Sequence, residues 1–271
     1  MSTVSKNDWD SKVYQTNAGF VPLLTSDLLT LAKIQPGESI FDLGCGDGIL
    51  TVKLITDYKA SKVLGVDSAA SMIEKAQQLS NSQSLKNIEW GVHDCQDLEA
   101  SGYVAEGQKF DVVFSNAAIH WMKSNPAGPP RGAFALLKPG GRFVAELGGF
   151  TNVASIHSAL IAAVKRRGQD GESLSPWYYP SVGAYAKLLK DAGFEVETIG
   201  LFPRPTDLPT NVRGWLNTFV ASGSFMTPFS PQEREEILNE VVDQLKPVLC
   251  DETGHWIADY VRLRFSARKP L

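Results

Sequence analysis

Cysteine is scarce in this chain: 271 residues contain three, Cys45, Cys95 and Cys250, an odd and widely spaced set. Such a set excludes a disulfide framework. With no paired Cys or His at ligand spacing it also gives no zinc pattern, so no metal is expected, and His93 is assigned a structural role. Excess positive charge is missing too. Lys and Arg number 26 against 30 Asp and Glu, a net charge of −4, which argues against a nucleic-acid partner. The cluster Lys165-Arg166-Arg167 is explained by a helix C-terminus, and Arg262, Arg264, Arg268 and Lys269 by the solvated face of a last strand and tail. No apolar run reaches membrane-spanning length, and Met1 to Asp10 lacks the apolar core of a signal peptide. A cytoplasmic protein with no membrane partner is therefore expected. Internal repeats and low-complexity tracts are absent.

What is present suits one large α/β domain: 43% of residues are hydrophobic, enough for a sizeable core. Strand and helix patterns alternate from about residue 36 to 200, which predicts a parallel sheet with crossover helices on both faces and ligands at the carboxyl ends of its strands. The most informative run is Phe41-Asp42-Leu43-Gly44-Cys45-Gly46-Asp47-Gly48, where an apolar strand gives way to a helix carrying Ile49, Leu50, Val52, Leu54 and Ile55. Glycines at 44, 46 and 48 let the backbone turn sharply and approach a ligand. A dinucleotide fingerprint would need glycine at 49, which is Ile, and no Gly-Lys-Ser/Thr follows to make a phosphate loop. Asp42 would repel a phosphate, so a cationic or zwitterionic ligand fits better.

Asp42-x-Gly44-x-Gly46-x-Gly48 resembles motif I of class I S-adenosylmethionine-dependent methyltransferases. The resemblance implies a Rossmann-like, seven-stranded, mostly parallel sheet with helices on both faces, closed by an antiparallel last strand near 260–267. It also implies S-adenosyl-L-methionine as cofactor and S-adenosyl-L-homocysteine as product. Lys62 to Asp67 is a second strand, and Asp67 at its end resembles the ribose clamp, with Ser68 a candidate N-cap of the helix from Ala69 and Met72 at the family's adenine-packing position. Asp94 and Cys95, after the strand Ile88 to His93, match the acidic position that accepts the adenine amino group. After the strand Phe110 to Ser115, Asn116-Ala117-Ala118-Ile119-His120-Trp121 is similar to trans-aconitate methyltransferase-like and ubiquinone-biosynthesis-like small-molecule enzymes. Asn116 and Ala117 would border the methionine end, with Trp121 and a candidate general base, His120, near the substrate; a packed, hydrogen-bonded His120 is the other reading. The Leu136 to Glu146 turn and strand, and Tyr178 to Thr198, carry the same likeness.

By that likeness residues 1–35 form a lid and first helix (Pro22 to Ile34), with Cys45, Tyr14 and Phe20 contacting cofactor, and 36–200 form the cofactor-binding core. Residues 201–257 read as a helical substrate cap and 258–271 as the last strand and tail. Aromatic residues crowd this cap and 148–180, so Trp177, Tyr179 and Trp215 are candidates for a flat, apolar small-molecule substrate, with Arg213 a candidate for a substrate carboxylate. The opening Trp9 to Tyr14 with Ala18 to Val21 resembles fungal secondary-metabolite enzymes of the gliotoxin-type bis-thiomethyltransferase kind. S-methylation of a thiol is accordingly favoured. Alternatives are O-methylation of an aconitate-like carboxylate and a cofactor-binding module without turnover. A monomer or weak homodimer is expected.

Overall fold

The computed structural model describes residues 25–271. In chain order the principal elements are α1 (Ser26–Ala32), β1 (Ser39–Leu43), α2 (Ile49–Thr56), β2 (Lys62–Asp67), α3 (Ala70–Ser82), β3 (Ile88–Val92), β4 (Phe110–Asn116), α4 (Gly128–Leu136) and β5 (Leu137–Gly148). They continue with α5 (Ala154–Lys165), α6 (Val182–Asp191), β6 (Glu195–Asp207), α7 (Asn211–Phe219), α8 (Pro231–Leu249) and β7 (Ile257–Arg268). The chain divides into two compact units. A sheet unit takes residues 25–150, Tyr178–Phe202 and Arg262–Leu271, and a helical unit takes Thr151–Trp177 and Pro203–Val261.

The seven strands form one sheet in the order β3-β2-β1-β4-β5-β7-β6. β1 pairs in parallel with β2 and β4, β2 with β3, and β4 with β5; β7 runs antiparallel to β5. The central strands are apolar throughout because both faces are covered. Alternate residues go to opposite sides. Ile40, Val63, Val112, Phe114 and Val144 pack with Leu28 of α1 and Leu54 of α2, while Phe41, Leu64, Val113 and Phe143 pack with Leu136 of α4 and Leu189 of α6.

Three local expectations need correction. Ser68 is not the N-cap of α3; that position falls to Ala69, which has no capping side chain and whose own N–H donates to the Asp67 carboxylate at 2.9 Å in a turn ahead of the helix. Arg262 and Arg264 are not on a solvated face. Their side chains are 4% and 10% exposed and both bind Glu146, itself 1% exposed, at 3.3 and 2.8 Å. The register explains it: Glu146 stands directly opposite Arg264, and Gly148 opposite Arg262. Arg268 and Lys269, farther along, do reach the surface side, Arg268 pairing with Glu197 at 2.6 Å.

The helical unit has its own core. Trp177, Trp215 and Phe225 are 4%, 4% and 1% exposed, their rings lie within 6 Å of one another along the chain of contacts, and Trp215 Nε1 donates to the Tyr260 hydroxyl at 2.6 Å. Helix α8 begins with a full capping box in which Ser230 and Glu233 exchange side-chain and backbone bonds. Arg166 and Arg167 at the end of α5 both grip Glu240 of α8.

Two glycines separate backbone need from packing need. Gly37 (φ 90°) faces open space, whereas a Cβ on Gly48 (φ 79°) would lie 2.6 Å from the Trp90 ring and 2.8 Å from the Ala76 Cβ. Gly37→Ala should cost about 1 kcal/mol from its backbone alone. Gly48→Ala should cost about 2 kcal/mol more through overpacking, read as a larger fall in urea midpoint at unchanged slope.

Candidate active site

The glycine loop is pinned to the neighbouring strand ends. The N–H groups of Gly44 and Cys45 both donate to the Val66 carbonyl, at 2.8 and 3.0 Å. A Cβ on Gly44 (φ 72°) would stand 2.1 Å from the Ala118 Cβ, so the exits of β1 and β4 can come this close only because position 44 has none. Gly48 makes room for Trp90, which is fixed by a 3.1 Å bond from its Nε1 to Ser80 Oγ. Gly46 differs. It also has positive φ, 57°, yet none of the described residues lies within 4 Å of where its Cβ would be. Two of the three glycines therefore serve the fold, and the middle one leaves the loop's open side bare for a ligand.

The acids sit around this loop in two roles. Asp67 accepts from the Gly46 N–H at 3.0 Å and from the Ala69 N–H at 2.9 Å, one bond to each oxygen, so the carboxylate is held in place with lone pairs to spare. Burial raises its pKa against the pull of those N–H groups. Asp42 is 2% exposed and accepts the Thr51 hydroxyl at 2.6 Å, tying the end of β1 to the first turn of α2. Burial lifts its carboxyl to about 7, with Thr51 opposing and the Asp67 charge adding. Asp42 therefore acts on the ligand through the loop it supports and through its field. Asp94 is exposed and accepts the Gln96 N–H at 3.0 Å, while Cys95 beside it is buried. Burial, first, and the neighbouring acids push both the Cys45 and Cys95 thiols up, which makes them unreactive. Met72 is 4% exposed, within the packing of α3.

At the end of β4, Ser115 Oγ donates to the Leu43 carbonyl at 2.7 Å, and Ala117, at φ 56°, donates its N–H to the Glu146 carbonyl at 2.8 Å. The half-buried Asn116 lies opposite Glu146 in the ladder. The strained turn at Ala117 leads into His120, which is 6% exposed. His120 Nδ1 accepts the Gly148 N–H at 3.2 Å, and its carbonyl accepts the Tyr178 N–H at 2.8 Å. The imidazole lies beside the rings of Trp121 and Tyr179, at centroid distances of 5.6 and 5.9 Å. Burial, and then the charge of Arg262, hold its pKa well below the ordinary value. An Nδ1 that accepts assigns the proton to Nε2, so the ring is a hydrogen-bond donor and its basic lone pair is spent.

The sheet unit thus brings together Asp42, Gly44, Cys45, Gly46, Gly48, Asp67, Asp94, Asn116, Ala117, His120, Trp121 and Tyr179 along the strand ends and the turns that follow them. The remaining candidates fare differently. Trp177 and Trp215 are core residues of the helical unit. Arg213 is committed there, donating to Asn217, Asn239 and Glu235, so it is not a free partner for a substrate carboxylate. Tyr14 and Phe20 lie outside the described residues. Sequence reading missed Thr51, Trp90, Glu146 and Arg262. Only Thr51 carried a local signal, a hydroxyl in the first turn of the helix that follows the motif acid.

The residues present fit S-adenosylmethionine: an open loop at Gly46, a carboxylate on Asp67 positioned by backbone N–H groups, and two neighbouring acids, Asp42 buried and Asp67 half-buried, favouring a cation. Comparison with known proteins agrees. A family model described as "Methyltransferase domain" matches residues 34–177. A methyltransferase of Schizosaccharomyces pombe, itself uncharacterized, is 38% identical over 96% of this chain and 98% of its own. A trans-aconitate 2-methyltransferase of Deinococcus radiodurans is 31% identical over 62% of each chain. Among solved structures, a phosphoethanolamine N-methyltransferase of Haemonchus contortus, in complex with phosphomonomethylethanolamine and S-adenosylhomocysteine, superposes with a TM-score of 0.58 at 16% identity, covering 96% of this chain and 57% of that one. The chain belongs to the class I S-adenosylmethionine-dependent methyltransferases, with the Rossmann-like fold of that family.

Two outcomes test the acids. Asp67→Ala should weaken S-adenosylmethionine binding about tenfold or more by calorimetry, since a positioned acceptor is lost. Because the folded pKa of Asp42 stands at about 7 and the unfolded value near 4, stability from its protonated form is present below about pH 4 and is lost as pH rises through about 7. Asp42→Asn keeps an acceptor for Thr51 but cannot ionise. The Tm of the wild type, measured without cofactor, should therefore fall relative to that of Asp42→Asn as pH rises across this window.

Proposed function

We propose that this methyltransferase acts on a small molecule whose acceptor atom is already anionic, a thiolate before a carboxylate, as an enzyme of secondary metabolism. The observation that carries the reading is the spent lone pair of His120: its Nδ1 is taken by the Gly148 N–H. A hydroxyl or carbon acid would need a strong base, and neither His120 nor Asp42, which is bound to Thr51, is placed to be one. A thiol titrates not far above neutral pH and a carboxylate is ionised already, so neither needs proton removal by the protein. Trp121 and Tyr179 beside His120 favour an apolar body on the acceptor. With Arg213 committed elsewhere, a dedicated grip on a second carboxylate is lacking among the residues proposed for substrate, which ranks the thiol first. The Deinococcus trans-aconitate enzyme keeps the carboxylate as second reading.

S-adenosylmethionine, when bound, supplies an electrophilic methyl group on a sulfonium. The chain's contribution is alignment and exclusion of water: Asp67 and the Gly44 to Gly48 loop hold the donor, and His120 with its ring neighbours holds the acceptor. Among the described residues no helix is long and apolar enough to cross a membrane. We place the enzyme in the cytoplasm, as a monomer or weak homodimer.

The test is transfer of label from S-adenosylmethionine to a panel of small thiols, carboxylic acids and phenols. Thiols should be methylated with a rate that follows their ionisation. Preferred transfer to phenols would overturn the anionic-acceptor reading, and binding of cofactor without transfer to any class would leave a binding module.

A further inference from the structure

The site contains a polar atom that the fold does not use. His120 is 6% exposed, its Nδ1 is engaged by Gly148, and its Nε2 makes no hydrogen bond within the described residues. The atom is not one of the fully buried unpaired atoms of the described residues, so the small exposed part of the ring leaves Nε2 open to solvent and to a ligand. Around it the sheet has assembled a second arrangement. Gly148, the residue that fixes the ring, stands opposite Arg262 in the β5–β7 ladder, and two residues before it Glu146 stands opposite Arg264. Glu146 accepts Arg262 Nε at 3.3 Å through one oxygen and Arg264 at 2.8 and 3.0 Å through the other. Residues 146 and 148 lie on one face of β5, so the carboxylate and the histidine's anchor share a side. Because Gly148 carries no side chain, the Arg262 opposite it meets no Cβ across the ladder.

We propose that Arg262, seated on Glu146, is a positioning residue that fixes His120 as a hydrogen-bond donor, through Nε2–H, to the acceptor atom of the substrate. The proposal rests on the methyl-transfer reading above and adds to it which group the anionic acceptor meets. The charged and titratable groups next to His120 are Arg262 from β7, whose charge acts on the ring, and Tyr178 and Tyr179 from the segment before α6; beyond Arg262 lie Glu146 of β5, Arg264 of β7 and Asp27 of α1. Glu146 pairs with both arginines, and the exposed Asp27 also pairs with Arg264, at 3.3 Å. Arg262, opposite the Gly148 that fixes the ring, opposes a proton on Nδ1, as does the Gly148 N–H already pointing there. In the transfer, a lone pair on the acceptor forms the bond to the methyl carbon as the carbon–sulfur bond breaks and its electron pair returns to sulfur. A sulfonium and an anion become two uncharged products. No proton moves, and the Nε2 proton stays on the ring.

Nitrogen-15 NMR of labelled histidine, with His120→Gln identifying the signal, reads the arrangement without any acceptor. The wild type should show a neutral ring protonated on Nε2 from about pH 5.5 to 8, and Arg262→Met should titrate at a higher pH than the wild type, burial still holding it below the ordinary value of about 6.5, while Arg262→Lys does not. A wild-type ring protonated on Nδ1, one doubly protonated at pH 6, or an Arg262→Met ring that behaves as wild type overturns the positioning role. Should Arg262→Met not fold, Arg262→Gln is read in the same way, and a ring that behaves as wild type there overturns the positioning role. With the best acceptor from the panel, His120→Phe should lose about tenfold or more in kcat/KM at unchanged cofactor affinity, and His120→Gln, which keeps an N–H, should recover much of it. Equal rates for the Phe and Gln variants overturn the donor role. Because the NMR result needs no turnover, a correct tautomer with no transfer to any acceptor would sink the enzymatic reading and not the positioning of the ring.

Discussion

The close approach of three backbone segments at the carboxyl end of the sheet is the constraint on which the site depends. Two successive N–H groups, of Gly44 and Cys45, share the Val66 carbonyl, and the missing Cβ of Gly44 lets Ala118 come within a distance that any side chain would forbid. Once β1, β2 and β4 end this close together, Asp67 can reach back to the Gly46 N–H, and its other oxygen can hold the Ala69 N–H just ahead of α3. The loop, the acid and the helix then position one another. A cofactor arriving there meets groups already oriented, which lowers the entropy lost on binding.

A second constraint acts on the far side of β4. Burying Glu146 with two arginines costs desolvation that the pairing only roughly offsets, so the cluster is weak evidence for stability. It does specify register. A slip of one residue between β5 and β7 would set Arg264 against Leu147 and turn the charges toward the core that contains Leu263 and Phe265. The antiparallel strand is thus held to the one alignment that places Arg262 opposite Gly148, and through Gly148 the alignment reaches His120.

What could be read from the sequence was local. Asp42, the glycines and Asp67 announce themselves because strand, turn and helix signals follow one another within a few residues, and the class of fold follows from their alternation. The failures share a different cause. Arg262 and Arg264 alternate with Val261, Leu263 and Phe265 just as a solvated face would, and their partner Glu146 lies more than a hundred residues away in the chain. Arg213 beside Trp215 resembled a substrate grip, but its partners Glu235 and Asn239 sit on another helix. Trp177 and Trp215 looked like pocket lining because burial inside a small helical core and burial against a ligand use the same residue types. Ser68 lost the N-cap position to Ala69, because the Asp67 carboxylate accepts the Ala69 N–H and the helix starts one residue later.

The two constraints also divide the site electrically. At the ends of β1 and β2 stand the buried Asp42 and the half-buried Asp67, both with pKa values raised first by desolvation, that of Asp42 also by the charge of Asp67, and both gain from a nearby cation. Beside β5 and β7 the arginines are balanced, Glu146 pairing with both and Asp27 with Arg264, and a histidine offers its proton outward. A negative field at one end favours a sulfonium and would repel an anionic acceptor placed beside it. A single N–H at the other can hold that anion without neutralising it by proton transfer. Separation of charge in the ground state that collapses as the methyl group moves is eased when each partner has its own fixed counter-field and no water must reorganise. A general base would add nothing to such a reaction, and a protonated histidine would weaken the nucleophile it contacts. The spent lone pair of His120 is therefore consistent with the same chemistry that the paired acids favour at the opposite strand ends.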